Sequence, residues 1–159
     1  MSGVRQISKK EYKSIIKILN KFGVECSIVK PKSILGIKIK KGELIVVNNI
    51  PLLIRYKDYI VPHLKSLSYF SGLKKIVVDM GAINSILNGA DVMRPGIVSW
   101  DENIVINDIV AVCIEKHGTP IAIGISLVSG NNISKINKGR VVKNLHHLKD
   151  KYWEYDNLN

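Results

Sequence analysis

Apolar positions near the start of the chain follow a helical rhythm. Tyr12, Ile15, Ile16, Leu19 and Phe22 recur at steps of three, one, three and three, which places them on one stripe of an α-helix. Ser8-Lys9-Lys10-Glu11 has the form of a capping box, in which Ser8 caps and Glu11 reaches back to the N-cap amide. Gly23 can take the left-handed conformation that ends helices. The pattern then changes to short runs rich in β-branched residues. It predicts strands over Val24–Val29, Ile34–Ile39, Glu43–Val47 and Leu52–Tyr56, punctuated by Pro31, Lys41-Gly42 and Asn48-Asn49. Val61-Pro62-His63-Leu64 reads as a second helix start, with Leu64, Leu67 and Phe70 facing inward. Ser71-Gly72 closes this region and marks the expected domain boundary.

The second half reads as strand, short helix and then several strands. Ile76-Val77-Val78 is a buried strand, and Ala82–Asn88 is a short helix with Ile83, Ile86 and Leu87 inward, ended by Gly89. Further strands are predicted over Asn103–Ile106, Asp108–Ile114, Ile121–Val128 and Val141–Leu145, with a turn at Lys116-His117-Gly118-Thr119. Short strands, frequent turns and no helix–strand alternation point to a compact β-barrel rather than a doubly wound sheet.

Charge divides the chain along the same line. The 159 residues carry a formal net charge of +11, and 46% are hydrophobic, enough for a packed core. Residues 1–73 hold 14 basic and 4 acidic residues, whereas residues 74–159 hold 10 and 9. A strongly basic segment attracts polyanions, and nucleic acid is the expected one. Lys10, Lys13, Lys17 and Lys21 form a second stripe on the first helix, which suits a phosphate backbone or serves as its solvated face. No apolar run approaches a membrane span, and Met1-Ser2-Gly3-Val4-Arg5 lacks the apolar stretch of a signal peptide, so a cytoplasmic protein without a membrane partner is expected.

Several kinds of chemistry are weighed and set aside. Val77-Val78-Asp79-Met80-Gly81 resembles the start of a nucleotide loop, but Ala82, Ile83 and Asn84 follow where a cofactor cradle needs further glycines. His146 and His147 are adjacent and point to opposite faces of a strand, so no metal is expected. Cys113 lies in the apolar run Val110-Ala111-Val112-Cys113-Ile114 and reads as a buried thiol rather than a nucleophile. No cofactor and no catalytic residue are expected.

Val78-Asp79-Met80-Gly81-Ala82-Ile83, followed by Leu87-Asn88-Gly89-Ala90-Asp91-Val92-Met93-Arg94-Pro95-Gly96-Ile97, resembles the opening of a PUA domain. Asp108-Ile109-Val110-Ala111-Val112 resembles the Gly-Asp-x-Val-x-Val strand of that domain, with Asn107 in place of the glycine. Pro120–Ser126 and Ile133–Arg140 resemble its later strand and closing Lys-Gly turn. The order of these motifs, together with Asn144-Leu145-His146-His147-Leu148-Lys149-Asp150 and Trp153, is similar to the malignant T-cell-amplified sequence and ligatin group of translation proteins, archaeal-type members included. The resemblance implies an α+β chain. Its parts are a small basic N-terminal α/β-hairpin domain over 1–72, a PUA-type pseudo-barrel with a short helix over 73–152, and a tail over 153–159. Asp91, where the group commonly has Asn, and Arg140-Val141-Val142, in place of a more glycine-rich run, depart from the pattern.

The resemblance implies a non-enzymatic RNA-binding protein of translation. The candidate RNA site is Gly81, Asn84, Gly89, Ala90, Asp91, Arg94, Pro95 and Gly96, with a positive rim of Lys135, Lys138, Arg140 and Lys143. A small-residue loop can approach a sugar–phosphate chain and offer N–H groups to it, and Arg94 could fork onto phosphate. Few aromatic residues are placed to stack on bases, so shape and backbone would dominate recognition. The implied partners are tRNA, through its acceptor end, or rRNA, with the small ribosomal subunit or a partner translation factor beside them. An accessory module that targets a tRNA- or rRNA-modifying enzyme is the alternative.

Overall fold

The structure, a computed structural model, describes residues 3–155. The chain forms two units, one built from residues 3–72 and 151–155, the other from Leu73–Asp150. Strands dominate both, and the helices are few and mostly short, so the class is mixed α+β.

In the first unit, β1 (Val4–Gln6) leads into helix α1 (Lys9–Lys21). Ser8 Oγ accepts from Glu11 N at 3.0 Å, and Tyr12, Ile15 and Leu19 form the buried stripe. β2 (Glu25–Cys26), β3 (Ile34–Ile39), β4 (Gly42–Val47), β5 (Ile50–Tyr56) and β6 (Tyr59–Pro62) follow. A 3₁₀ turn, Leu64–Tyr69, then leads to β7 (Phe70–Ser71). The main sheet is antiparallel in the order β1-β3-β4-β5-β6, and β2 pairs with β7 apart from it. Leu19, Leu44, Leu52, Leu53 and Ile54 are fully buried. Residues 151–155 group with this unit, and the remainder of the tail expected over 153–159 lies outside the described residues. The Tyr152 carbonyl accepts from His63 Nε2 at 3.1 Å, and the Trp153 ring stacks on His63.

Three readings of this half are corrected. The strand expected over Val24–Val29 shrinks to β2, because Ile28 turns its carbonyl to the Tyr12 hydroxyl at 2.7 Å instead of to a neighbouring strand. Pro62 ends a strand and does not start a helix. In the turn after it His63 and Ser66 are the fully buried residues, with Leu64, Leu67 and Phe70 only partly covered. Ser66 Oγ donates to the Pro51 carbonyl at 2.6 Å, so a polar contact directs this turn. Glu11 does not close a capping box. Its carboxylate takes Arg5 at 2.7 Å and Arg55 at 2.8 Å, while Glu43 takes the same two arginines at 2.8 and 2.6 Å.

This four-residue ring ties β1, α1, β4 and β5. Hydrogen bonds from Arg5 and Arg55 hold the Glu11 carboxyl at about 2, below its ordinary 4.5. Burial alone would raise Glu43, but bonds from the same arginines outweigh it and its pKa is lowered. A carboxylate whose folded pKa is depressed stabilises fully above its unfolded value and loses that contribution as pH falls towards the folded one. The urea midpoint of the first unit is therefore expected to fall as pH drops from 4.5 towards 2. A Glu11→Gln variant should show a shallower fall; identical pH profiles would remove Glu11 from the account.

The second unit runs through β8 (Lys74–Val78), a 3₁₀ turn (Met80–Ala82), helix α2 (Ile83–Leu87) and β9 (Val92–Met93). A second 3₁₀ turn (Arg94–Gly96) leads to β10 (Ile97–Trp100), β11 (Ile109–Ile114), β12 (Pro120–Ser126), helix α3 (Gly130–Ile133) and β13 (Arg140–His147). One six-stranded sheet, ordered β10-β8-β11-β12-β13-β9, curls into a half-barrel around Ile76, Ile86, Ile104, Val112 and Val142. Its single parallel pair is β8 with β11.

The strand expected over Asn103–Ile106 is instead a turn. Asp108 Oδ2 accepts from Val105 N at 2.8 Å and from Lys74 Nζ at 2.7 Å, pinning the segment with Ile104 inward and Val105 and Ile106 each 56% exposed. Asn107, which stands where the motif has glycine, sits at φ 77°, the left-handed region that asparagine tolerates best after glycine. No helix among the described residues is long and apolar enough to cross a membrane.

Candidate nucleic-acid interface

The segment from Met80 to Trp100 forms a short helix and two short strands, joined by 3₁₀ turns, that wrap around a groove. Its floor begins where Asp79 caps the first turn, its carboxylate accepting from Ala82 N at 3.1 Å. The Asp79 amide donates to the Gly96 carbonyl at 2.9 Å, drawing the two ends of the segment together. Between them lies a cavity of about 360 Å³ bordered by Gly81, Ser85, Asp91, Met93, Pro95 and Gly96.

Helix α2 ends on a Schellman motif. Gly89 takes φ 93°, its amide bonds to Ile86 O at 2.9 Å, and the Ala90 amide bonds to Ser85 O at 3.0 Å. The amides expected to greet phosphate are thus spent on the helix end. The Arg94 amide is spent too, on Gly139 O at 2.8 Å. Asn84 is exposed on α2, and its carbonyl accepts from Asn88.

Arg94 also departs from expectation. Nε donates to Ile133 O at 2.8 Å and Ile136 O at 3.1 Å, and Nη1 donates to Ile97 O at 3.1 Å. The guanidinium lies over the Trp100 ring, 5.1 Å from its centre. Arg94 is a clamp joining α3 to the start of β10, not a fork held out to a ligand. Asp91 likewise turns to its own chain: Oδ1 accepts from Asn144 N at 2.9 Å and Oδ2 from Arg140 Nη1 at 3.1 Å.

Asn144 is the residue the sequence pattern did not single out as part of the site. From β13 its Nδ2 donates to Ile86 O at 3.1 Å and Ala90 O at 2.9 Å, so one side chain holds the helix end and the loop against the sheet. Its Oδ1 is buried without a hydrogen-bond partner. Only the β13 register could have revealed it, since 53 positions separate it from Asp91. Lys135, Lys138 and Arg140 are exposed and Lys143 is half-buried, on β13 or the segment leading to it. Lys10, Lys13, Lys17 and Lys21 are all exposed, on α1 of the other unit.

The groups set aside as chemistry have ordinary surroundings. Burial pushes the Cys113 thiol up, away from thiolate. His146 is buried against Asp150 Oδ2 at 2.8 Å, and His147 donates through Nδ1 to Leu148 O at 2.9 Å. Among the described residues, no group of three His, Cys, Asp or Glu side chains is placed to hold a metal ion.

Comparison with known proteins gives a consistent set of likenesses. The PUA domain family model matches residues 74–148. An uncharacterized protein of Methanocaldococcus jannaschii is 40% identical over 152 residues, covering 94% of each chain. Translation machinery-associated protein 20 of Eremothecium gossypii is 32% identical over 122 residues, 72% of this chain and 67% of that one. Malignant T-cell-amplified sequence 2 of Homo sapiens is 37% identical over 79 residues, 48% of this chain and 44% of that one. Among solved structures, a hypothetical protein of Pyrococcus horikoshii OT3 superposes with a TM-score of 0.78 at 38% identity, over 95% of this chain and 98% of that one.

Proposed function

Because this chain belongs to the family of PUA-domain proteins that includes translation machinery-associated protein 20 and the malignant T-cell-amplified sequence proteins, we propose that it is a non-enzymatic, cytoplasmic RNA-binding protein of translation. The observation that carries this reading is the groove between Gly81 and Pro95-Gly96, held open by Asn144 and the Arg94 clamp.

The chemistry of the groove suggests how RNA would lie in it. Asp79 and Asp91 border the floor, so phosphates avoid it. Ribose hydroxyls and base amino groups, which are donors, suit those carboxylates. The phosphates would follow the rim of Lys135, Lys138, Arg140 and Lys143. A single-stranded end fits such a slot better than a duplex, which favours the acceptor end of tRNA or an unpaired segment of small-subunit rRNA.

Gly81 supplies the test. It is exposed, and a Cβ there would meet only Asp79 Oδ1, at 3.4 Å, so a side chain is accommodated. Gly81→Glu places bulk and negative charge in the groove. It is expected to weaken tRNA binding about ten-fold or more, read by fluorescence anisotropy at fixed salt, with the melting temperature unchanged. Binding equal to that of the parent chain would refute the groove as the site.

A further inference from the structure

The first unit carries an open cleft of about 500 Å³ that no residue of α1 lines. Arg5, Lys38, Lys41, Glu43, Arg55 and Lys57 line it. Strand register explains why they meet. Ile39 pairs with Gly42, Gly42 with Tyr56 and Tyr56 with Tyr59, so the β3–β4 and β5–β6 turns lie at one end of the sheet. β1 borders the same edge, where the Lys38 amide donates to the Gly3 carbonyl at 2.8 Å.

The charges in this cleft divide into two sets. Arg5 and Arg55 are neutralised by Glu11 and Glu43 in the ring of ion pairs, which fixes the floor and leaves it without net charge. Lys38, Lys41 and Lys57 are exposed, and none makes an ion pair with a carboxylate among the described residues. The surplus at the cleft is therefore ammonium charge on a rigid base.

The two ends of the sheet differ in backbone conformation. The turn at the far end of the sheet, between β4 and β5, places Asn48 and Asn49 at φ 51° and 65°, the residue type that this region favours after glycine. At the cleft end the left-handed positions are Lys40 at φ 52° and Lys57 at φ 54°. Lysine has no local hydrogen bond that eases this conformation, so these turns carry a cost that the asparagine turn avoids.

We propose that this cleft is a second RNA contact, which takes a phosphodiester backbone across the two lysine-bearing turns. That the polyanion is RNA follows from the RNA-binding reading of the chain; that it sits here follows from the cleft. Lysines on separate turns, each a point charge on a flexible stem, suit an extended chain of phosphates rather than one small anion, which would need convergent donors. The contact is with backbone, so it carries no sequence preference of its own.

The test is an amide NMR titration of the isotope-labelled full chain with a short oligouridylate, beside two charge-matched triple variants assayed on tRNA by anisotropy. Shifts at residues 38–43 and 55–57 are expected. The variant Lys38→Glu/Lys41→Glu/Lys57→Glu should lose at least about ten-fold more tRNA affinity than Lys10→Glu/Lys13→Glu/Lys17→Glu, which removes the same charge from α1. Shifts confined to residues 79–96 would overturn the cleft and leave the groove reading standing. Shifts confined to the cleft would do the reverse. Equal losses in the two variants, or no shifts at either place, would overturn the cleft.

Discussion

Replacing Arg94 with alanine is expected to destabilise the second unit by about 2–4 kcal/mol and to weaken all RNAs alike. The substitution removes a charged donor from the carbonyls of Ile133, Ile136 and Ile97, and takes a cation from the face of Trp100. Carbonyls that lose a charged donor in a partly buried place lose more than an exposed pair would. Arg94→Lys should recover little, since an ammonium cannot span carbonyls on two segments as a planar fork does. Urea unfolding of the parent and both variants checks this. A variant with parental stability that fails only on RNA with an intact 3′ end would show that Arg94 meets the ligand after all.

Gly72→Ala is expected to cost more than about 3 kcal/mol in the first unit. Gly72 holds φ 85°, and a Cβ there would overlap the carbonyl oxygen of Gly23, which is backbone and cannot swing aside. The contact matters because it lies at the junction where β2 and β7 pair. Urea unfolding followed through the amide signals of β2 and β7 reads the loss directly. A parental midpoint would mean that the Gly23 turn yields at little cost.

The two glycines show where sequence reading stops. Ser71-Gly72 has the composition of a linker, and composition cannot tell a free hinge from a glycine chosen because another backbone presses on it. The arginines teach the same lesson. All four, Arg5, Arg55, Arg94 and Arg140, are engaged by their own chain, although the Arg140 side chain stays 64% exposed. Nothing in the spacing of Arg5 and Arg55 announces Glu11 and Glu43 as partners, because the pairing is made by strands brought side by side.

What the amino-acid order determined by itself was local or repeated. The α1 stripe and its Ser8 cap follow from side chains within one turn of each other, and the long strands β3, β4, β5, β11 and β12 from apolar runs bounded by turn residues. The PUA motifs from Val78 to Arg140 were legible for the same reason, since each is a short string with its own turn chemistry. The tertiary structure alone decided the rest. β1, β9 and β10 are too short to show a period and exist because a longer neighbour supplies their hydrogen bonds. Val105 and Ile106 look like a strand but are held out in solvent by Asp108, a competition that local pattern does not contain. Whether Arg94 served a ligand or its own fold depended on three carbonyls, two of which lie 39 and 42 positions away in the chain. Such contacts are set by how the sheet curls, and no window of sequence spans them.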